Sequence, residues 1–553
     1  MRSPAPRALL ATASVAVALA AADTYVVVLA LTDMMSGVGI GIDALQRATP
    51  IISGFLLGYI AVLPLIGRLA DLTERQRVLL GCLAIFVVGS AITALAVELP
   101  VLVAGRVIQG IGGGGLVPAT LAIVAQLWDR DSRGTPLGVV GAVQELGSVV
   151  GPVLGAAVLA VADWRAIFWL NALLGVLLAG AVVVVGGGMP SRPRALPVAV
   201  SLGAGVVGWL ALAAPTSLVT SVSLGVPFVP FGSSTSRLAT PIGVVALVLA
   251  VVAVALWVRG AWSMLRRADL LGALLLGGSL ACIVLTFAAS NPEKEIVGPL
   301  GFALLPVAAV LAGLYLLHHR RADQPLVPRG VVVGRGGWAL LVSLCVGIAL
   351  VAVIVDVPLL ARLVHTESET VAAFVLVRFL IAVPVGALVG GWSLRWLGDG
   401  LVSGVGLAVA ALGLVIMSTW GRGSLDEWTS TVVLALVGLG IGLALAPVNN
   451  AALADSPDEA HGTASALVVV ARMIGMVVGL ALLTAIGLHQ YYAAVAALPD
   501  QTDTQALLDA AVVQVEWVFR GAAIAAVIGA LASIALGLTR TSLRPGTRPT
   551  FVQ

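Results

Sequence analysis

The chain is 553 residues long, 60% hydrophobic and only 10% charged, against roughly a quarter charged in soluble domains, so it cannot keep a soluble surface. Its net charge of +3 comes from basic residues scattered through short connectors rather than gathered on one face, which excludes nucleic acid as a partner. Cys82, Cys282 and Cys345 stand in separate apolar runs without paired or metal-like spacing, so neither a disulfide framework nor a metal site is expected.

Long apolar runs, each near or above the ~18 residues that mark a membrane helix, recur along the chain. Six are expected near 8–33, 47–69, 78–97, 99–126, 134–161 and 166–187. Four follow near 196–214, 240–260, 268–290 and 299–318, and six more near 337–362, 371–392, 401–420, 429–452, 462–498 and 511–539. The result is an all-α polytopic membrane protein of about 16 spans. Arg2 and Arg7 before an Ala/Val/Leu run look like a secretory signal, but the run continues through Asp23 to Leu31, too long for a signal core, and is read as the first span.

Pro/Gly-rich stretches such as GGGMPSRPRALP at 186–197 divide the spans six, four and six. The expected domains are a six-helix bundle at 1–187, an inserted helix pair with an outer loop at 188–262, a linker pair at 263–336, and a second six-helix bundle at 337–553. Two six-helix halves related by internal repetition are how many secondary transporters build a central site open to one side at a time. Most of the 30 basic residues, including Arg75, Arg77, Arg266, Arg267, Arg320 and Arg321, lie in connectors on the side shared by both termini, which places the termini in the cytoplasm.

The run at 462–498 would span roughly 55 Å as one helix, well beyond a ~30 Å hydrocarbon core. Its end, with the start of 511–539 carrying Gln514, Glu516 and Arg520, is expected to project outward as a helical pair; the alternative is a break at Gly487.

Several spans carry charge that lipid makes costly. Asp23 interrupts the first span in Ala-Ala-Ala-Asp23-Thr24-Tyr25. Such a group can load and release a proton as its surroundings alternate, or simply tie a neighbouring helix. The second connector reads Gly67-Arg-Leu-Ala-Asp71-Leu-Thr-Glu-Arg75-Gln-Arg77. There Asp71 can sit against the positive end of a neighbouring helix while Arg75 and Arg77 pair with carboxylates, forming a cytoplasmic gate, with a solvated charged turn as the alternative. This pattern resembles the signature of the major facilitator superfamily, with Leu72 in place of a basic residue and Glu74 in place of a glycine, which suggests a less tight turn.

Arg106-Val-Ile-Gln109-Gly110 in the fourth span resembles that family's fourth-helix motif. Arg106 is expected to pair with a nearby carboxylate or set its proton affinity, with snorkelling at the outer end as the alternative. The glycines from Gly110 to Gly115 precede no Lys-Ser/Thr and follow no strand, so they are helix-packing residues and not a phosphate loop. In the fifth span Gly147, Gly151 and Gly155 form one packing stripe, Pro152 is a bend, and Glu145 lies about 200° away from Gly147, facing a cavity. This stretch resembles the Gly-Pro motif of drug:proton antiporters, and Trp164-Arg-Ala-Ile-Phe-Trp-Leu-Asn171 resembles their 14-helix branch. Asp356, Arg378 and Arg472 in the last six spans, with Gln109 in the first six, are candidate cavity residues; Asp356 and Arg378 alternatively pair to stabilise the bundle. Pro447-Val-Asn-Asn450 to His461 reads as a helix junction.

AADTYVVV, QELGSVVGP, DWRAIFWLN, HGTASALVVVARMIGM and the long final pair together resemble actinobacterial triacylglyceride and multidrug exporters that work with an LprG-type lipoprotein. The resemblance implies a major facilitator fold, no cofactor beyond a proton gradient, and proton-driven export of apolar lipids from the plasma membrane. It also implies a periplasmic lipoprotein carrier, with membrane lipids and hydrophobic small molecules as further partners, and a monomer. Residues 188–262 fall outside the resemblance. The alternative transport function is a general multidrug:proton antiporter. A membrane enzyme would need a clustered nucleophile, base or metal set, and His318, His319, His365, His461 and His489 fall at connectors or span ends instead.

Overall fold

The computed structural model describes residues 5–40, 49–188, 194–221, 225–232, 236–287, 301–364, 369–421, 423–499 and 503–539. His365 and parts of the outer loop at 221–236 lie outside them. The described residues form α-helices α1 (Pro6–Gly37), α2 (Thr49–Leu72), α3 (Arg75–Leu95), α4 (Leu99–Leu127), α5 (Gly134–Leu159) and α6 (Trp164–Val185), then α7 (Ala195–Ala213), a single turn α8 (Thr216–Val219), α9 (Pro241–Arg267), α10 (Leu270–Phe287) and α11 (Leu304–Arg321). There follow α12 (Arg335–Val364), α13 (Glu369–Leu380), α14 (Ala382–Ser393), α15 (Asp399–Met417), α16 (Trp428–Ala454), α17 (His461–Ala496) and α18 (Thr504–Ser533). Among the described residues there is no strand, and 16 spans are long and apolar enough to cross a membrane.

The chain divides into two compact units. The first holds Met1–Leu127, Val143–Arg329 and Pro457–Val470; the second holds Trp128–Ala142, Gly330–Ser456 and Ala471–Gln553.

In the first unit α4 is the central strut, buried along most of its length. Its glycines explain how. A methyl at Gly110 or Gly114 would run into the backbone of Phe55 or Tyr59 on α2, and one at Gly105 or Gly112 into Thr93 or Phe86 on α3. Two small faces therefore let α4 lie against two helices at backbone distance, where dispersion and close contact replace the hydrophobic effect that lipid cannot supply. α7 and α9 pack on each other, as do α10 and α11. Gly277 of α10 lies against the Ala61 carbonyl of α2, while Val206, Trp209, Val251 and Val254 of the α7–α9 pair stand exposed, as lipid contact requires.

The same device builds the second unit. Gly386 and Gly390 of α14 meet the Leu439 and Leu443 carbonyls of α16, and Gly406 of α15 meets Gly440. Gly347 of α12 lies against the Arg472 carbonyl of α17.

Two expectations change in detail. The span expected at 371–392 is two helices that meet at Ile381. Pro384 accounts for the interruption, since its ring clashes with the carbonyl four residues back, at Leu380. α17 runs unbroken for 36 residues through Gly487, about 54 Å of helix. Gly487 is used for packing, with the Gln514 carbonyl and Val518 of α18 against it, so Gln514 is buried between the two helices. α18 starts earlier than expected, at Thr504, where the Asp503 carboxylate accepts from the Gln505 amide at 2.8 Å and caps it.

Candidate functional site

Asp23 sits in the middle of α1 and is 1% exposed. Arg106 and Gln109 stand one turn apart on α4 and so share a face toward it. Arg106 Nη1 donates to Asp23 Oδ2 at 2.5 Å, Gln109 Nε2 donates to Oδ1 at 3.0 Å, and Asn171 Nδ2 of α6 donates to Oδ1 at 2.6 Å. The network closes on itself. Arg106 also donates to Gln109 Oε1 at 2.7 Å, and Gln109 Nε2 donates to Ser90 Oγ of α3 at 2.9 Å, while Ser90 donates to the Phe86 carbonyl. Arg106 Nε reaches the Ile51 carbonyl of α2 at 3.3 Å, and the guanidinium lies 4.5 Å from the Phe55 ring centroid and 5.7 Å from that of Phe168.

Five helices thus contribute to one charge pair with no water-facing side. A carboxylate accepts and never donates, and each of its three side-chain neighbours presents a donor. The site is built for the ionised acid. Arg106 is not a snorkelling residue, since only 1% of it is exposed. Asn171 and Ser90 are site residues that sequence reasoning missed, although Asn171 is the one amide in α6 and amides in apolar spans are uncommon enough to flag.

Glu145 is buried on α5, 6% exposed. Two residues on, the glycine stripe meets α1: a methyl at Gly147 would run into the Ala18 carbonyl, one at Gly151 into the Ala22 carbonyl, and one at Gly155 into Val26. α5 is therefore fitted to the helix that carries Asp23. Its helical pattern continues through Pro152.

At the far end of α2, Asp71 accepts from the Gly462 amide at 2.6 Å, from the Thr463 amide at 2.9 Å and from Thr463 Oγ1 at 2.6 Å. These are the first turn of α17, whose unpaired amides and dipole favour an anion. Gly67 permits the approach, because a methyl there would strike the Gly462 carbonyl and Ala466. Arg75 donates to the Asp458 carbonyl at 3.5 Å, and Arg77 pairs with Glu74 on its own turn at 3.2 Å. Arg75 thus reaches a backbone oxygen, with the Asp71 and Asp458 carboxylates near enough to attract it. Glu74 takes extended backbone, φ −61 and ψ 120, a conformation any residue adopts, so its replacement of glycine does not loosen the turn.

In the second unit Asp356 of α12 and Arg472 of α17 are buried, 5% and 8% exposed. Arg378 of α13 donates to Ser430 Oγ at 3.4 Å and Thr431 Oγ1 at 3.1 Å on α16. Sequence reasoning missed a further network here: Asp399 at the start of α15 accepts from Arg335 Nη2 at 2.5 Å and Asn450 Nδ2 at 2.7 Å, and Arg133 Nε donates to Asn450 Oδ1 at 2.7 Å. Asn450 is a network member and not merely part of a helix junction.

Among the described residues no group of three or more His, Cys, Asp or Glu could hold a metal ion. The Major Facilitator Superfamily profile matches residues 13–480. The chain belongs to the major facilitator superfamily. Within that superfamily it is 37% identical over 546 residues to a triacylglyceride transporter of Mycolicibacterium smegmatis, covering 94% of this chain and 85% of the relative. It is 38% identical over 488 residues to one of Mycolicibacterium hassiacum (86% and 78% covered) and 35% identical over 501 residues to one of Mycobacterium tuberculosis (88% and 83% covered). Two solved major facilitator structures share the fold: the proton:xylose symporter XylE, TM-score 0.56 at 12% identity over 95% of this chain and 94% of that one, and the human organic anion transporter MFSD10, TM-score 0.55 at 15% identity over 96% and 100%.

Proposed function

We propose that this chain is a proton-coupled exporter that moves triacylglycerides and comparably apolar lipids out of the plasma membrane by alternating access. The observation that carries the reading is the sealed Asp23–Arg106 pair, in which the carboxylate accepts from three side-chain donors, in a chain whose relatives are named triacylglyceride transporters.

A proton arriving on Asp23 cancels the charge that Arg106 is paired with and adds an O–H where Gln109 and Asn171 already present N–H groups. Both consequences oppose the present arrangement. Protonation therefore drives a rearrangement of α1 against α4 and α6, and the return of the carboxylate restores it. Arg106 and Gln109 hold the proton site, Glu145 serves as a second acidic group on α5, and Asp71 with the first turn of α17 forms the cytoplasmic gate, which must release during each cycle. The termini face the cytoplasm, the chain acts as a monomer and without a bound cofactor, and the α17–α18 pair passes lipid to a periplasmic lipoprotein carrier. Asp356, Arg378 and Arg472 line the path in the second unit. No catalytic activity is proposed.

Export of a labelled triacylglyceride and of ethidium from the same vesicles, with and without a pH gradient, tests the reading. Gradient-dependent lipid export that disappears in Asp23→Asn is expected. Lipid export indifferent to both gradient and substitution would overturn proton coupling, and ethidium export without lipid export would favour a general multidrug:proton antiporter.

A further inference from the structure

The second unit contains a cavity of about 330 Å³ that the proposed transport cycle does not use. Its wall carries Arg130, Arg335 and Arg395 against Asp131 and Asp399, with Asn450 between them. The size is at the lower end of the range, on the order of 300–1,000 Å³, found for small-molecule sites.

The charged groups of this cavity are held by different kinds of contact. Asp399 is committed to Arg335 Nη2 and Asn450 Nδ2. Arg335 Nε is buried yet meets no acceptor among the described residues, and a buried donor left unmade is costly. Arg130 pairs with Asp455 only at 3.7 Å, with both side chains about two-fifths exposed. Arg395 has its guanidinium 5.0 Å and 5.1 Å from the ring centroids of Trp392 and Trp396. Three helices, α5, α12 and α15, also begin on this wall, at Gly134, Arg335 and Asp399, and their amide ends add positive potential.

The surroundings of Arg395 point to the source of the ligand. Trp392 and Trp396 are 47% and 55% exposed, and Leu397 beside them is 41% exposed. Exposed tryptophans next to arginine are the signature of the membrane–water boundary, where an amphipathic ring sits at headgroup level. Arg395 joins the cavity wall to these rings, so the anion it favours is that of a lipid, and a phosphodiester offers the oxygens that arginine forks donate to.

We propose that this cavity binds the phosphate of an anionic lipid headgroup, with Arg130, Arg335 and Arg395 as its contacts. The leaflet, though not the site, rests on the assignment of the termini to the cytoplasm. By bridging α5, α12 and α15 at their first turns, such a lipid acts as a structural ligand of the second unit.

The full-length protein in detergent, titrated with dioctanoyl phosphatidylglycerol and followed by thermal unfolding and native mass spectrometry, provides the test. Parallel titrations use dioctanoyl phosphatidylcholine and inorganic phosphate. Phosphatidylglycerol should raise the unfolding temperature saturably, and Arg130→Gln with Arg395→Gln should weaken its binding about tenfold or more, as loss of two basic contacts implies. Arg259→Gln, an exposed arginine on α9, should bind as the wild type does. The single variants are measured as well, so that a poorly folded double variant does not decide the outcome. Equal binding of phosphatidylcholine, unchanged phosphatidylglycerol binding in the folded variants, or no binding at all overturns the proposal. Stabilisation by inorganic phosphate equal to that by the lipid overturns the lipid source.

Discussion

Arg106 on α4 places Nη1 2.5 Å from Oδ2 of Asp23 on α1, and the two side chains are 1% and 0% exposed. Removing one member of such a pair leaves a buried charge without a partner, which costs about 3–5 kcal/mol. Asp23→Asn should therefore insert into the membrane but unfold at a markedly lower temperature and fail to export lipid. Adding Arg106→Gln should recover part of the lost thermal stability and none of the transport. A double variant whose loss of stability in a detergent melt equals the sum of the losses in Asp23→Asn and Arg106→Gln would show that the pair carries no coupling energy.

Asn171 and Ser90 separate direct from indirect support of the acid. Asn171 donates straight to Asp23, whereas Ser90 touches it only through Gln109. A hydrogen bond to a charged group contributes about 1.5–3 kcal/mol, twice a neutral one. Asn171→Ala should therefore reduce gradient-driven export more than Ser90→Ala, and a transport assay returning the reverse order would contradict this division of roles.

Asp71→Asn keeps the shape of the side chain but removes the anion from the first turn of α17. Losing such a cap costs about 0.5–2 kcal/mol. Hydrogen exchange at the Gly462 and Thr463 amides should speed up several-fold, with the rest of α17 unchanged.

Gly151→Val tests the fit of α5 to α1. The added atoms would enter the space of the Ala22 carbonyl, and overpacking of this kind costs about 1–3 kcal/mol. The melting temperature should fall and export with it. The same change at Gly180, where an added methyl group would have nothing within 4 Å, should leave both near wild type.

The sites differ in how plainly residue type announced them. Asp23, Glu145 and Arg106 were legible because a charge inside an apolar run is expensive and stands out from its neighbours. Gly67 and Asp71 were legible because their spacing carries a packing rule and a dipole rule at once. Ser90 is a small neutral hydroxyl, so nothing in the one-dimensional pattern separated it from ordinary polar interruptions, whereas Asn171 carried the weaker signal of being the one amide in its span. Arg133, Arg335, Asp399 and Asn450 stayed hidden for the opposite reason: charge is common at connectors, and only the fold brings residues 317 positions apart within 2.7 Å. The sixteen spans were visible as hydrophobic length, whereas the interruption at Ile381 depended on the local effect of one proline.

The five-helix seat of Asp23 also constrains how the protein is made. The acid belongs to α1, and its cation follows 83 residues later on α4. Until both are in place, each rests in a greasy segment whose insertion it opposes by about 2.5–3.5 kcal/mol. Biogenesis of the first unit must therefore be a collective event, in which early helices wait at the insertion machinery for later ones before entering lipid. A chain truncated before α4 would carry an acid with no cation to receive it.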